Sequence, residues 1–154
     1  MQQSPTSRTH HEVNMLCREV MKGLVEYIGP AETVQSAARR MREANVGFLP
    51  VCDPAGQVLG TVTDRDLVVR SLADGAAPDR PVGQVMSTDV VTCLETDAVG
   101  KAHELMRAFR KSRIVCVDAE GRLCGVISLS DLATRAAPDA VETLRRIASR
   151  EVST

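Results

Sequence analysis

The sequence predicts an α/β protein made of two β-α-β-β-α repeats packed with pseudo-twofold symmetry and flanked by N- and C-terminal helices. Three observations carry this. Sliding the chain by 65 residues lays 20–67 on 85–132 without a gap, and twelve of the 48 aligned positions are identical. Inside each copy, apolar residues first recur at three- and four-residue steps and then form two short runs around a turn. One eight-residue frame also recurs whole, as GTVTDRDL at 60–67 and GVISLSDL at 125–132.

Each copy opens with a short extended piece, LVEYI at 24–28 or VVTCL at 90–94. A helix follows. Val34, Ala37, Ala38, Met41 and Ala44 share one face, as do Val99, Ala102, Met106 and Phe109. Asp97 is placed to cap the second of these helices, and Asn45 and Gly47 to stop the first. Two strands then flank a tight turn, FLPVC-DPAG-QVLGTV and RIVCV-DAEG-RLCGVI, with Pro54 and Gly56 where a type I turn accepts them. A second helix closes each copy, 64–73 or 129–136.

Outside the copies, HEVNMLCREVM carries an apolar stripe of Val13, Leu16 and Val20. Residues 138–150 carry another, with Asp139 and Glu142 at the spacing of a capping box. The chain therefore divides into a loose tail (1–12), a first repeat (13–76), a Gly/Pro/Ala linker (77–84), a second repeat (85–137), and a C-terminal helix and tail (138–154). A unit of about 50 residues has little core of its own, so the two should bury their faces on each other and form two equivalent clefts.

Composition narrows the function. The net charge is −1, which offers no basic surplus for nucleic acid or an anionic membrane surface. No apolar run approaches the ~20 residues of a membrane span, and MQQSPTSRTHHE lacks the apolar stretch of a signal peptide. Five cysteines (17, 52, 93, 116 and 124) without a CxxC argue against a disulfide framework or a zinc site; they read as small core residues in a reducing, cytoplasmic setting. His10, His11 and His103 make no metal-ligand pattern. No phosphate loop, dinucleotide fingerprint, HExxH or GxSxG is present, so no catalytic residue is assigned.

The repeated pieces resemble the tandem CBS-domain pair, or Bateman module. The likeness rests on VM at the start of each copy, on MREANVGFLPVCD with GQVLGTVTDRDLVVR in the first, and on SRIVCVDAEGRLCGVISLSDL in the second; it covers about 20–137. The length and the TDRD-containing first copy are similar to stand-alone bacterial CBS-pair proteins thought to respond to stress or energy state. The second copy looks more like the nucleotide-sensing γ subunits of AMP-activated kinases. The resemblance implies clefts that bind adenine nucleotides, S-adenosylmethionine or dinucleotides, a Thr/Ser-x-x-Asp facing the ligand, and disc-like dimers of pairs.

The frame has two readings. A Ser or Thr followed three residues later by an acid is close to a capping box. It is equally a hydroxyl and a carboxylate held for a ribose or phosphate. Thr63, Asp64, Arg65 and Asp66 fill this frame in the first copy, and Ser128, Ser130 and Asp131 in the second. Gly60 and Gly125 either let another backbone or a base approach closely or mark a bulge or tight packing. By the resemblance Arg113 reaches phosphates, with Lys111 and Ser112 beside it. The first copy has Val46, Gly47 and Phe48 at these positions, so the two sites should differ in charge and affinity. Phe48, Leu49, Pro50, Ile114 and Val115 either flank the base with apolar surface and backbone groups or are plain core strand.

The resulting expectation is a regulatory module sensing AMP, ADP or ATP, or else S-adenosylmethionine or NAD, between two CBS repeats. It requires no cofactor, and it signals through a homodimer or an unidentified protein partner. The alternative is a dimerisation or docking module with vestigial clefts. A redox or enzymatic protein using Cys52, Cys116 or Cys124 lacks any Cys–His pairing to support it.

Overall fold

The computed structural model describes residues 15–135. The tail, the histidines at 10 and 11, and the predicted C-terminal helix lie outside the described residues. The described elements run α1 (Cys17–Val20), α2 (Val34–Ala44), β1 (Phe48–Cys52), β2 (Val58–Thr63), α3 (Asp64–Leu67), a π-helical turn (Val68–Leu72), a 3-10 turn (Val82–Gln84), β3 (Thr92–Leu94), α4 (Val99–Phe109), β4 (Arg113–Val117), β5 (Leu123–Ser128) and α5 (Leu129–Arg135).

The expected order holds, with three local differences. The first opening piece yields only one bridging residue, Ile28, which pairs in parallel with Val51, whereas the second yields β3. The helix predicted over 64–73 changes to π-helical winding at Val68. Of the predicted N-terminal flanking helix, the described residues hold the four-residue α1.

Helix ends follow local chemistry. Thr33 caps α2 by accepting from the Ser36 N–H at 3.0 Å. The α4 cap position is Ala98, which has no side chain for the purpose. Asp97 does not cap α4 as expected. Its carboxylate accepts from the Leu94 N–H at 2.8 Å, as Glu32 accepts from Gly29 at 2.7 Å, and so each acid closes the turn before its helix. Both helices end on a left-handed residue, Asn45 (φ 54°) and Arg110 (φ 53°). The stop on α2 is therefore Asn45 and not Gly47.

The chain forms two compact units whose boundaries do not follow the repeats. Among the described residues, the first unit holds 24–90 and 120–123, and the second holds 15–23, 91–119 and 124–135.

In the first unit β1 and β2 form an antiparallel hairpin with a bulge between Val51 and Cys52. Residues 80–87 complete it. Val34 N–H donates to the Arg80 carbonyl at 2.8 Å, and Thr61 and Ser87 exchange two bonds at 2.9 and 2.8 Å. Its core gathers Ile28, Ala37, Met41, Leu49, Val51, Val62, Leu67, Val82 and Val85.

The second unit repeats this construction. Its sheet is ordered β3-β4-β5, with β3 parallel to β4. Residues 15–22 complete it, as Val99 N–H donates to the Met15 carbonyl at 2.8 Å and Lys22 pairs with Val126. Its core includes Cys17, Val20, Cys93, Ala102, Met106, Ile114, Ile127 and Leu132. In each unit, then, the segment that closes the sheet comes from just ahead of the second repeat or just ahead of the first, and both pack by the same 65-residue correspondence.

Candidate functional site

The two frames fold identically. At the end of β2 the Thr63 hydroxyl accepts from the Asp66 N–H at 3.1 Å, while Asp66 Oδ2 accepts from the Thr63 N–H at 2.9 Å. At the end of β5 the Ser128 hydroxyl and Asp131 Oδ2 make the same two bonds at 3.1 and 2.9 Å. These are reciprocal capping boxes, and they fix both side chains in one rotamer at a strand-to-helix junction. The cap does not exhaust them. Thr63 still has its hydroxyl proton to donate; Asp66 Oδ1 takes no part in the cap and faces Arg70 Nε at 3.7 Å. The Ser128 and Ser130 hydroxyls lie 2.9 Å apart, and either can donate to the other.

A backbone bond seats each frame against the preceding strand: Asp64 N–H to the Gly47 carbonyl at 3.0 Å, and Leu129 N–H to the Ser112 carbonyl at 2.8 Å. In the first unit Phe48 is the register partner of Thr63, so Gly47, Phe48, Thr63, Asp64 and Asp66 converge at one end of the hairpin. Asp64 leans over Gly47 so closely that a Cβ there would lie 2.7 Å from its Oδ2. Its Oδ1 accepts from the Arg65 N–H at 2.8 Å, and the Arg65 side chain is exposed.

The surroundings differ in charge. The first frame carries Asp64 and Asp66, with Arg70 Nε 3.7 Å from Asp66 Oδ1. At the second frame the position of Asp64 is taken by buried Leu129, while exposed Lys111 and Arg113 stand on the neighbouring loop and strand start. Arg70 was not anticipated, although an acid and a base four residues apart in Asp66-x-x-x-Arg70 was a legible signal.

The proposed base-flanking residues separate into two groups. Phe48 is half-buried. Leu49, Ile114 and Val115 are at most 1% exposed, and Pro50 is buried, so their side chains are core and only backbone groups are left to meet a ligand. At Gly60 and Gly125 it is another backbone that approaches closely. Each is covered by a neighbouring segment, with Met86 and Ser87 over Gly60 and Met21 and Lys22 over Gly125. Among the described residues no three His, Cys, Asp or Glu side chains form a set that could hold a metal ion.

A profile of the CBS domain matches residues 17–72 and 82–137. The CBS domain-containing protein YhcV of Bacillus subtilis is 35% identical over 116 residues, covering 75% of this chain and 81% of YhcV. The crystal structure of Hypoxic Response Protein I with two coordinated zinc ions superposes with a TM-score of 0.73 at 27% identity, over 80% of this chain and all of that one. The crystal structure of CBSX2 in complex with AMP superposes with a TM-score of 0.67 at 22% identity, over 77% of this chain and 93% of that one. With two matched CBS domains spanning most of its length, and the same reciprocal Thr/Ser–Asp cap at the end of each, the chain belongs to the CBS-domain family as a tandem pair.

Proposed function

We propose that the chain is a regulatory, non-enzymatic module that binds an adenosine-containing ligand, AMP, ADP or ATP first among them, at its Thr/Ser–Asp frames. The observation that carries this is the paired cap, whose 2.9 and 3.1 Å bonds are reproduced in both units. A cap alone needs no second carboxylate oxygen. Here the cap holds a carboxylate rigidly while leaving that oxygen to accept from vicinal ribose hydroxyls, and preorganisation of this kind lowers the cost of binding. The AMP complex of CBSX2 supports the ligand class.

The second frame is the stronger site for a phosphorylated ligand, because Lys111 and Arg113 adjoin it and it lacks a second acid. Ser112, Ser128 and Ser130 offer hydroxyl donors there. The first frame, with Asp64 over Gly47, suits a less anionic ligand. S-adenosylmethionine carries a sulfonium cation and fits that description.

A docking reading has its own support. An apolar groove of about 340 Å³ in the first unit is lined by Val34, Ala38, Met41, Leu67, Val68 and Leu72, with Asp64 at its edge. Val68, Val69 and Leu72 are 51–72% exposed. Such a patch favours a homodimer or a protein partner. Ligand binding and dimerisation are compatible, the one shifting the population of the other. A cytoplasmic location completes the proposal.

The test is calorimetric titration with AMP, ADP, ATP, S-adenosylmethionine and NADH, on the parent chain and on Asp66→Asn and Asp131→Asn. Asn keeps an oxygen for the cap but loses the charge. Micromolar binding of an adenosine ligand that falls at least tenfold in Asp131→Asn, with the thermal midpoint unchanged, establishes the ligand reading. No heat with any of the five ligands leaves the docking reading.

A further inference from the structure

The second unit holds three sulfurs in mutual contact. Cys93 Sγ lies 3.6 Å from Cys17 Sγ and 3.5 Å from Cys116 Sγ. The side chains are 0%, 3% and 0% exposed in the order Cys17, Cys93, Cys116. They arrive from three separate elements, α1, β3 and β4.

The internal repeat supplies a control. A shift of 65 places Cys17 on Val82, Cys93 on Ile28 and Cys116 on Val51. Those three are each 0% exposed and lie in one core cluster. One layer of the fold is therefore built twice, once from branched aliphatics and once wholly from thiols. Packing alone does not ask for this. Val and Ile fill such a layer, and each Cys is smaller than the residue it stands for. A single cysteine in a core is ordinary, but three converging on one point gather reactive groups.

We infer that Cys17, Cys93 and Cys116 form an oxidation site, at which a peroxide converts Cys17 and Cys93 to a disulfide that ties α1 to the β3–β4 ladder. Cys93 and Cys116 are register partners on neighbouring parallel strands, which hold same-facing Cβ atoms about 4.8 Å apart, wider than the ~3.5–4.5 Å of a relaxed disulfide, and a bond between them would only tie strands already paired. The bridge therefore runs to Cys17 from across the layer, and Cys116 remains beside it as a thiol able to exchange into it.

Cys17 is the attacking group, because it alone of the three stands on α1, the four-residue helix whose local release exposes it. Hydrogen bonds with Cys116 and then Cys93 hold its thiol far below the ordinary 9.0, against the opposing effect of burial. Cys116 is pushed up, through its bonds with Cys17 and Cys93 and then burial, so it keeps its proton. The Cys17 thiolate attacks one peroxide oxygen and the O–O bond breaks, giving a sulfenic acid and hydroxide, which takes up the proton Cys17 had released and becomes one water. The Cys93 thiol sulfur then attacks the Cys17 sulfur. The S–S bond forms, the S–O bond breaks, and hydroxide leaves with the thiol proton as a second water. Two thiols lose two electrons and hydrogen peroxide gains them. Access comes through local release of α1, a four-residue helix.

The experiment treats the full chain with hydrogen peroxide, alkylates the remaining thiols under denaturing conditions, and digests without reduction. A Lys or Arg lies between every consecutive pair of cysteines, so trypsin puts the five in separate peptides. Mass spectrometry should find the peptide of Cys17 joined to that of Cys93. The thermal midpoint should rise on oxidation and return with dithiothreitol. Cys17→Val, which copies Val82, should lose the link, and Cys93→Val should move it to Cys116. The inference fails if all three thiols stay fully alkylated after peroxide in the parent chain, if the bridge found joins Cys52 or Cys124, or if the purified protein carries a stoichiometric metal ion on these sulfurs.

Discussion

A Cβ atom on Gly125 would lie 2.5 Å from the Lys22 carbonyl oxygen, and the same atom on Gly60 would lie 2.6 Å from that of Ser87. The first residue of each frame is glycine because a neighbouring chain segment crosses it, carrying Met21 over Gly125 and Met86 over Gly60. The obstacle is backbone already committed to pairing, Lys22 with Val126 and Ser87 with Thr61, so it cannot yield.

Gly125→Ala and Gly60→Ala should therefore each destabilise by about 1–3 kcal/mol, the usual cost of overpacking a closed site. Urea denaturation checks this as a lowered midpoint at unchanged slope. An unchanged midpoint in either variant would show that the crossing segment moves aside.

The caps carry a separate stability term. Thr63→Ala and Ser128→Ala should each lose about 1 kcal/mol, since each leaves an N–H at a helix start without its acceptor. Asp66→Asn should lose less than Asp66→Ala, because the amide oxygen still accepts from the Thr63 N–H. Equal losses in the two Asp66 variants would mean that the charge beside Arg70, and not the cap, supplies the stability.

Alkaline pH should weaken the fold through Cys52. Burial first, and then the negative charge of Asp53, push its thiol above the ordinary 9.0. A raised value means the folded chain holds this proton more tightly than the unfolded chain does. The stabilisation is fully present below pH 9.0 and is lost as pH rises through the raised folded value. Cys52→Val copies Val117, its counterpart in the second repeat. The variant should fall less in stability than the parent between pH 8 and pH 10, read as urea midpoints. Parallel slopes in the two proteins would refute the assignment.

The apolar groove gives the last prediction. Leu72 is 72% exposed at its rim and belongs to neither core. Leu72→Glu should cost the folded unit less than about 0.5 kcal/mol, as a surface change does. It should nevertheless lower the sedimentation coefficient from that of a dimer to that of a monomer at micromolar concentration. A parent chain that sediments as a monomer would remove the homodimer from the proposal.

Much of this was legible because it is local. The helices over Val34–Ala44 and Val99–Phe109 follow from apolar spacing alone, and the turns at Gly56 (φ 87°) and Gly121 (φ 81°) from a residue that tolerates a left-handed backbone. The frames at Thr63–Asp66 and Ser128–Asp131 were readable as caps for the same reason: a capping box closes within four residues. Asp97 misled because an acid one residue before the true cap position looks the same in sequence whether it bonds forward into the helix or back to Leu94.

What the sequence determined by itself was therefore the repeat, the kinds of element in it and the pairing of each hydroxyl with its carboxylate, all set by contacts a few residues apart. Tertiary structure decided the long-range matters. It placed residues 15–22 with the second repeat and 80–87 with the first, put Met21 and Met86 over the frame glycines, buried the side chains of Leu49 and Ile114 in the two cores, and brought Cys17 within reach of Cys93, 76 residues away. Burial and strand pairing satisfy backbone and apolar groups wherever a partner can be found along the chain, and no short window of sequence records which partner that is.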